Sequence, residues 1–385
     1  MRYSFGVRVL LGSYSVPSPW TATPLGHGAG IVGLASAAGV RSGGGSPTGA
    51  RAGSTLTRTG VWAASEINPS FLALAADGAV WAVTEPEQGG ELLRFAPGRG
   101  GWPSTVAPAR VTTGADAPCH LALGSPNTTG GAGSGAAAPP AVVFVSHYHG
   151  GVVTAIVCDA DGLPERVAET ITLPERGSGW DRSASRSRPH SVLVLPGSDG
   201  FLVADCGRDL IALCTWDQAA ETATLRDVLA LAPGTGPRHL ARHAASGTLY
   251  ASNQERGGVT VFTRENGRLR VREQVPGPGR GRARPVPSEI AVHPDGSSVV
   301  LANRVDDSLT VYAIAKDGGL TERVTVDSCG GTPRHFAFTP DGAALLVAHQ
   351  DSDELVVFRW EDGRPVDPSR TPVATPTAVL ALSGN

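Results

Sequence analysis

The sequence predicts an all-β fold, a seven-bladed β-propeller of four-stranded antiparallel blades, and three observations predict it. A proline-led segment recurs at intervals of 49, 71, 48, 50 and 46 residues. Most copies are followed by a turn pair and then by runs that alternate apolar and polar positions with period two. The leftovers at the two ends, VRVLLGSY and PTAVLAL, complement each other as strands of one further unit.

Taken in order, the segments are PSFLAL at Pro69, PCHLAL at Pro118, PHSVLVL at Pro189, PRHLAR at Pro237, PSEIAV at Pro287 and PRHFAF at Pro333. The turn pairs are Asp77-Gly78, Asp199-Gly200, Ser246-Gly247, Asp295-Gly296 and Asp341-Gly342, followed by runs such as VWAVTE, FLVADC, LYASNQ, VVLANR and LLVAHQ. This is the pattern of strand, tight turn, strand. A third run follows, for example GGVTVFTRE or DELVVFRWE, whose alternation turns one face inward. Six copies are complete. Joining PTAVLAL from Pro376 to VRVLLGSY, which ends at Tyr14, makes the seventh and closes the ring, removing exposed sheet edges. One propeller domain over 1–385 is therefore expected, the ring closed by the N- and C-terminal strands, with flexible inserts near 36–54, 124–141, 177–188 and 276–286. The last two inserts carry arginines but no interleaved aromatics, so they read as solvated linkers and no nucleic-acid partner is expected.

Composition agrees. Hydrophobic residues at 41%, with 50 Gly and 30 Pro, suit many short strands and turns. Lys+Arg 32 against Asp+Glu 35 gives a net charge of -3, too balanced for a polyanion partner, so any anion site must be local. Cys119, Cys158, Cys206, Cys214 and Cys329 show no CxxC spacing, which argues against a disulfide framework or a zinc site and for a reducing compartment. No metal or cofactor is expected. The apolar run VRVLLG is too short for a signal core, and no stretch approaches the ~20 apolar residues of a membrane span. The reading is a soluble, cytoplasmic protein with no membrane partner, monomeric or a weak homodimer.

In a propeller the innermost strands line a central channel, so equivalent strand tips form a ring at one mouth. The residue after the motif proline runs Ser70, Cys119, His190, Arg238, Ser288, Arg334; the end of the second strand runs Glu85, Tyr148, Asp205, Gln254, Arg304, Gln350. Antiparallel pairing brings both rows to the same end. Three converging arginines repel one another unless neutralised, and guanidinium forks match phosphate and carboxylate. Two readings stand for Arg238, Arg304 and Arg334: they hold an anionic ligand, or they form inter-blade ion pairs with Asp205, Asp209 or Glu289. His190 reads either as a catalytic base titrating near neutrality or as a cap on a neighbouring blade, the role expected of His120, His239 and His335 one place further along.

The fragments LGSYS, NPSFLAL with VTE, APCHLAL, RPHSVLVL with ADCGRDLIAL, GTGPRHLARH, SEIAVHPDG with ANR, and GGTPRHFAFTPDG together resemble the lactonase-type seven-bladed propellers. That family includes 6-phosphogluconolactonases and fungal muconate-lactonising enzymes, and the resemblance covers nearly the whole chain. It implies functional positions at His190, Arg238, the strand-end position of LYASNQ, and Arg304. It also implies hydrolysis of a small anionic sugar lactone, 6-phosphogluconolactone foremost, with His190 as general base and arginines stabilising the oxyanion. The third position usually carries Glu, and an ungapped count places Gln254 there with Glu255 next. Gln cannot act as a base, so the acidic role falls to Glu255, Asp205 or Glu85, or the reaction is lost. The expected site thus comprises His190, Arg238, Gln254, Glu255 and Arg304 as the catalytic group, with Glu85, Tyr148, Asp205 and Arg334 binding substrate. The alternatives are a lactonising isomerase of a dicarboxylate and a non-catalytic propeller that binds a ligand or protein.

Overall fold

The computed structural model describes residues 7–17, 26–36, 56–124, 139–174, 186–278 and 286–383. Its described residues form seven four-stranded antiparallel sheets, with one short 3-10 turn at Arg99–Gly101 as their helical content. This is the expected seven-bladed propeller. The segments expected as inserts fall largely outside the described residues.

Each innermost strand begins at a motif proline: Pro69–Leu74, Pro118–Gly124, Pro189–Val194, Pro237–Arg242, Pro287–Val292, Pro333–Phe338 and Pro376–Leu382. A proline suits this place because the innermost strand is an edge, and the first residue of an edge strand can lack an N–H without breaking a ladder. The residue before it sits at positive φ in six of the seven blades: Asn68, Ala117, Gly236, Val286, Thr332 and Thr375. A following proline disfavours the right-handed helical region. For β-branched Val286, Thr332 and Thr375 the left-handed conformation is strained. Immediately after the proline the pairing slips, between Pro69 and Phe71, Pro118 and His120, Pro189 and Ser191, and Pro333 and His335. Such bulges re-aim the side chain they carry.

The turn residues follow the sequence with one shift. Gly78, Gly247, Gly296 and Gly342 adopt the positive φ that the Asp-Gly and Ser-Gly pairs foreshadow. In the third blade Gly197 takes that role, and Gly200 already lies in the strand Gly200–Asp205.

The seventh blade joins the two ends of the chain, in the spatial order Pro376–Leu382, Arg8–Ser13, Ile31–Ser36, Leu56–Trp62. Leu10 pairs with Leu380, and Ser13 with Pro376. Alternation along Arg8–Ser13 divides its burial between neighbours. Val9 and Leu11 pack with Leu346, Ala348 and Leu355 of the sixth blade, while Leu10 packs with Leu72, Val80 and Leu93 of the first. Gly12 is required where the first blade approaches, since a Cβ there would lie 2.3 Å from the Pro69 carbonyl oxygen.

Truncation before Pro376 strips the inner partner from Arg8–Ser13 and opens the ring. The truncated chain is expected to lose its cooperative thermal transition in far-ultraviolet circular dichroism, whereas Leu10→Ala in the full chain keeps the transition and costs about 2–5 kcal/mol.

Candidate active site

The register places both tip rows together, because each motif proline pairs with the last residue of the second strand: Pro69 with Thr84, Pro118 with His147, Pro237 with Asn253, Pro287 with Asn303 and Pro333 with His349. The next residue in each chain forms the ring at the mouth, which contains Glu85, Tyr148, Gln254, Arg304 and Gln350. Asp205 is a correction. It is the partner of Pro189, so the ring position belongs to Cys206. Fully buried, Asp205 accepts from Ser187 Oγ at 2.7 Å, from the Arg188 backbone N–H at 2.8 Å, and from the N–H groups of Gly207 and Arg208 at 3.0 Å. It ties down the segments around the tip.

Two polar clusters lie at the mouth. In one, the Tyr14 hydroxyl donates to Glu85 Oε2 at 3.1 Å and accepts from Arg334 Nη2 at 2.6 Å, with the guanidinium carbon 5.0 Å from the tyrosine ring centre. Burial raises the Glu85 carboxyl against the pull of Arg334. In the other, Arg304 Nη2 donates to Gln254 Oε1 at 2.8 Å, and Gln254 Nε2 donates to Glu255 Oε1 at 3.1 Å and, weakly, to Cys206 Sγ at 3.6 Å. Glu255 therefore lies beside Gln254 in the same network.

Arg238 lies near members of both clusters and near His190. Arg238 is 3% exposed, and its Nε and Nη1 have no partner among the described residues. His190 is 7% exposed and stacks edge-on against Tyr148, centroids 5.4 Å apart, and against His239 at 5.3 Å. The Cys119 sulfur lies 4.0 Å from His190 Nδ1. Tyr148 also carries Arg188 over its ring at 5.3 Å. Ser288, in the same row as His190 and Arg238, instead ties blades together by donating to the Pro333 carbonyl at 2.6 Å.

Deeper in the channel a second layer is formed by the residues one place further along the inner strands. Phe71 packs against His120 with ring centres 4.2 Å apart and planes tilted by 36°; Glu289 Oε2 receives His239 Nδ1 at 2.8 Å and lies 3.1 Å from His335 Nε2. His120 and His335 accept from the Val192 and Val379 backbone N–H groups of neighbouring blades, the capping role expected of them. His239 bonds to a carboxylate instead.

Among the described residues none of the three arginines forms a direct ion pair with Asp205, Asp209 or Glu289, although Glu289 attracts Arg238, because the carboxylates are engaged elsewhere. Asp205 serves its own loop, Asp209 accepts from the Gly234 and Gly236 N–H groups, and Glu289 serves the two histidines. Arg238 is pushed down to about 10 by burial and by Arg334, and Arg304 to about 9 by burial together with Arg238 and Arg334. Both stay charged at neutral pH, and each disfavours the other. The expectation that His190 titrates near neutrality is corrected by the same physics, since burial, then Arg238, hold it well below the usual histidine range. Tyr14, Cys206, Cys119 and Gln350 complete the mouth. The signal for Tyr14 was its place at the end of VRVLLGSY, matching Glu85. Cys206 was displaced from its row because the longer run FLVADC hides the one-residue offset. Among the described residues no group of three His, Cys, Asp or Glu side chains is placed to hold a metal ion.

Residues 48–381 match the family described as "Lactonase, 7-bladed beta-propeller". The chain belongs to that family. Among curated relatives, the 6-phosphogluconolactonase of Bacillus subtilis is 26% identical over 277 residues, 69% of this chain and 73% of that protein. The 6-phosphogluconolactonase of Formosa agariphila is 28% identical over 222 residues, 56% of this chain and 62% of that protein, so less than two thirds of the latter is spanned. Among solved structures, a Lactobacillus plantarum protein superposes with a TM-score of 0.78 at 21% identity, covering 98% of this chain and all of that one. A periplasmic gluconolactonase of Pseudomonas aeruginosa superposes with a TM-score of 0.75 at 22% identity, covering 99% and 100%. These structural likenesses carry the fold. No helix among the described residues is long and apolar enough to cross a membrane.

The histidines make the lactonase-family fold acid-sensitive. His120 is held down to about 3 and His147 and His349 to about 4, and His190, His239 and His335 are also lowered, all chiefly by burial. Below about pH 6.5 the unfolded chain takes up protons that the folded chain refuses, so stability present above that pH is lost as pH falls. Raised carboxyls at Glu85, Glu289 and Asp205 act in the opposite sense and offset part of this loss. The melting temperature is expected to fall between pH 7.5 and pH 5, with about 1.4 kcal/mol lost per pH unit for each histidine not offset. A flat melting profile over that range, followed by calorimetry, would contradict this.

Proposed function

We propose that the protein hydrolyses a sugar lactone carrying an anionic group, 6-phosphogluconolactone-like, at the channel mouth. The observation that carries this reading is Arg238, a buried guanidinium whose Nε and Nη1 have no partner among the described residues, beside a buried histidine. A buried charged donor without a partner is costly, and a bound anion or oxyanion removes that cost. Sugar lactones open readily, so one positioned base and preorganised positive charge are adequate catalysis.

In this reading the substrate's anionic group docks between Arg238 and Arg304, with Arg334 also at the mouth. His190 is neutral in the free protein and so is in the form that accepts a proton. An anion on Arg238 cancels part of the charge that depresses His190, which therefore gains basicity as substrate binds. His190 takes a proton from water as the water oxygen adds to the lactone carbonyl carbon. The guanidiniums stabilise the oxyanion. The ring C–O bond then breaks, the departing alkoxide takes the proton back from His190, and an open hydroxy acid leaves. Gln254 cannot exchange a proton, so it orients Arg304, and Glu85 holds Arg334 through Tyr14.

A panel of phosphorylated, carboxylated and neutral lactones tests the assignment. Anionic sugar lactones are expected to be hydrolysed fastest, His190→Ala to lower kcat about 10²-fold or more, and Arg238→Gln both to raise KM for the anionic members and to lower kcat. Turnover by wild type no faster than by His190→Ala would leave a ligand-binding propeller without hydrolase activity.

A further inference from the structure

Glu289 is a buried carboxylate one layer below the mouth, and it takes no part in the steps proposed for His190 and the arginines. It stands on the fifth blade and reaches into the blades on both sides. Oε2 accepts from His239 Nδ1 at 2.8 Å and lies 3.1 Å from His335 Nε2, while Oε1 accepts from the Ile290 N–H at 3.1 Å. Three donors on two oxygens fit an ionised carboxylate, and His335 and Arg238 oppose the rise that burial imposes on it.

These contacts assign the ring protons. His335 Nδ1 accepts from the Val379 N–H at 3.2 Å, so its proton is on Nε2, the nitrogen beside Glu289. A carboxylate only accepts, so His239 carries its proton on Nδ1, and Nε2, which has no partner among the described residues, is the bare nitrogen. Both rings are neutral, held below the usual histidine range chiefly by burial. The torsion that turns an imidazole about its Cβ–Cγ bond is broad, so the bond to Glu289 fixes the His239 plane. That plane stands at 64° to the His190 ring, with centroids 5.3 Å apart.

We propose that Glu289 is a positioning residue: by clamping the His239 ring in one orientation and one tautomer, it holds His190 in the pose that accepts a proton. This rests on His190 being the base of the proposed function. Glu289 acts through the ring on the neighbouring blade and has no role at the reacting atoms themselves. Locking a base from behind by a packed, hydrogen-bonded neighbour is what holds reacting geometry to a fraction of an ångström. The His335 contact anchors the carboxylate from the far side, so the third to sixth blades share in placing one imidazole. Glu289 also attracts Arg238, and a double-mutant cycle separates that route from the one through His190.

Glu289→Gln keeps the shape but loses the charge and one acceptor, so it cannot receive both rings. It is expected to lower kcat for the best lactone by about tenfold or more with KM changed by less than about twofold. Glu289→Asp, which keeps the charge, is expected to recover part of the loss. Added to His190→Ala, Glu289→Gln is expected to change kcat by less than about twofold, because its effect passes through the imidazole already removed. A full tenfold loss in the His190→Ala background places the effect elsewhere and overturns the assignment, as does an unchanged kcat in Glu289→Gln alone. Ring-nitrogen resonances of the full chain, made with isotopically labelled histidine, give a readout that needs no turnover. Wild type is expected to show His239 protonated on Nδ1 and His335 on Nε2, and Glu289→Gln to lose the first and move the His190 resonances. If wild type opens no lactone, the hydrolase reading falls by itself; moved His190 resonances in Glu289→Gln then support the positioning role, and unmoved ones overturn it. Should Glu289→Gln not fold, His239→Asn, which keeps a donor for Glu289 but removes the ring beside His190, takes its place with the same expected losses and the same overturning results.

Discussion

A proline starts every inner strand, and the geometry it imposes is what the site is made from. It forbids a ladder bond at the channel edge, accompanies a left-handed residue before it in six blades, and is followed at once by a slip in pairing. The slip rotates one side chain per blade toward the channel mouth and frees its identity from the packing rules that govern the rest of the strand. Cys119, His190, Arg238 and Arg334 all occupy that position. Far-separated residues become neighbours because the same local distortion is repeated around an axis.

The mouth this creates is electrostatically unusual for a protein interior. Buried charges are normally paired, and here Tyr14, Glu85 and Arg334 obey that rule while Arg238 and Arg304 have no direct ion-pair partner among the described residues. Beneath them, His120, His239, His335 and Glu289 close the channel with groups kept neutral or internally bonded.

Most of the fold was legible in the residues because a propeller writes itself repeatedly. The proline spacing, the glycines at turns and the complementarity of PTAVLAL with VRVLLGSY each recur or match, and the sheets follow them. The site was legible at coarser grain. His190, Arg238, Arg304, Arg334, Gln254 and Glu85 meet at one mouth, as counting along the repeats implies. Asp205 was misplaced because its carboxylate belongs to a turn whose backbone donors no period reveals. The depressed basicity of His190 was illegible for a different reason: it depends on burial and on Arg238, residues apart in sequence but close in space. Which acid partners which arginine is likewise a property of three dimensions.

Ring closure has a temporal side. Tyr14 lies at the end of an early strand whose inner neighbour, Pro376–Leu382, emerges from synthesis only after six blades have been made. Arg334 depends on that tyrosine hydroxyl, and Glu85 on both. The nascent chain thus carries His190, Arg238 and Arg304 before the inner partner of Arg8–Ser13 has been made, and the mouth is complete only once Arg8–Ser13 pairs with Pro376–Leu382.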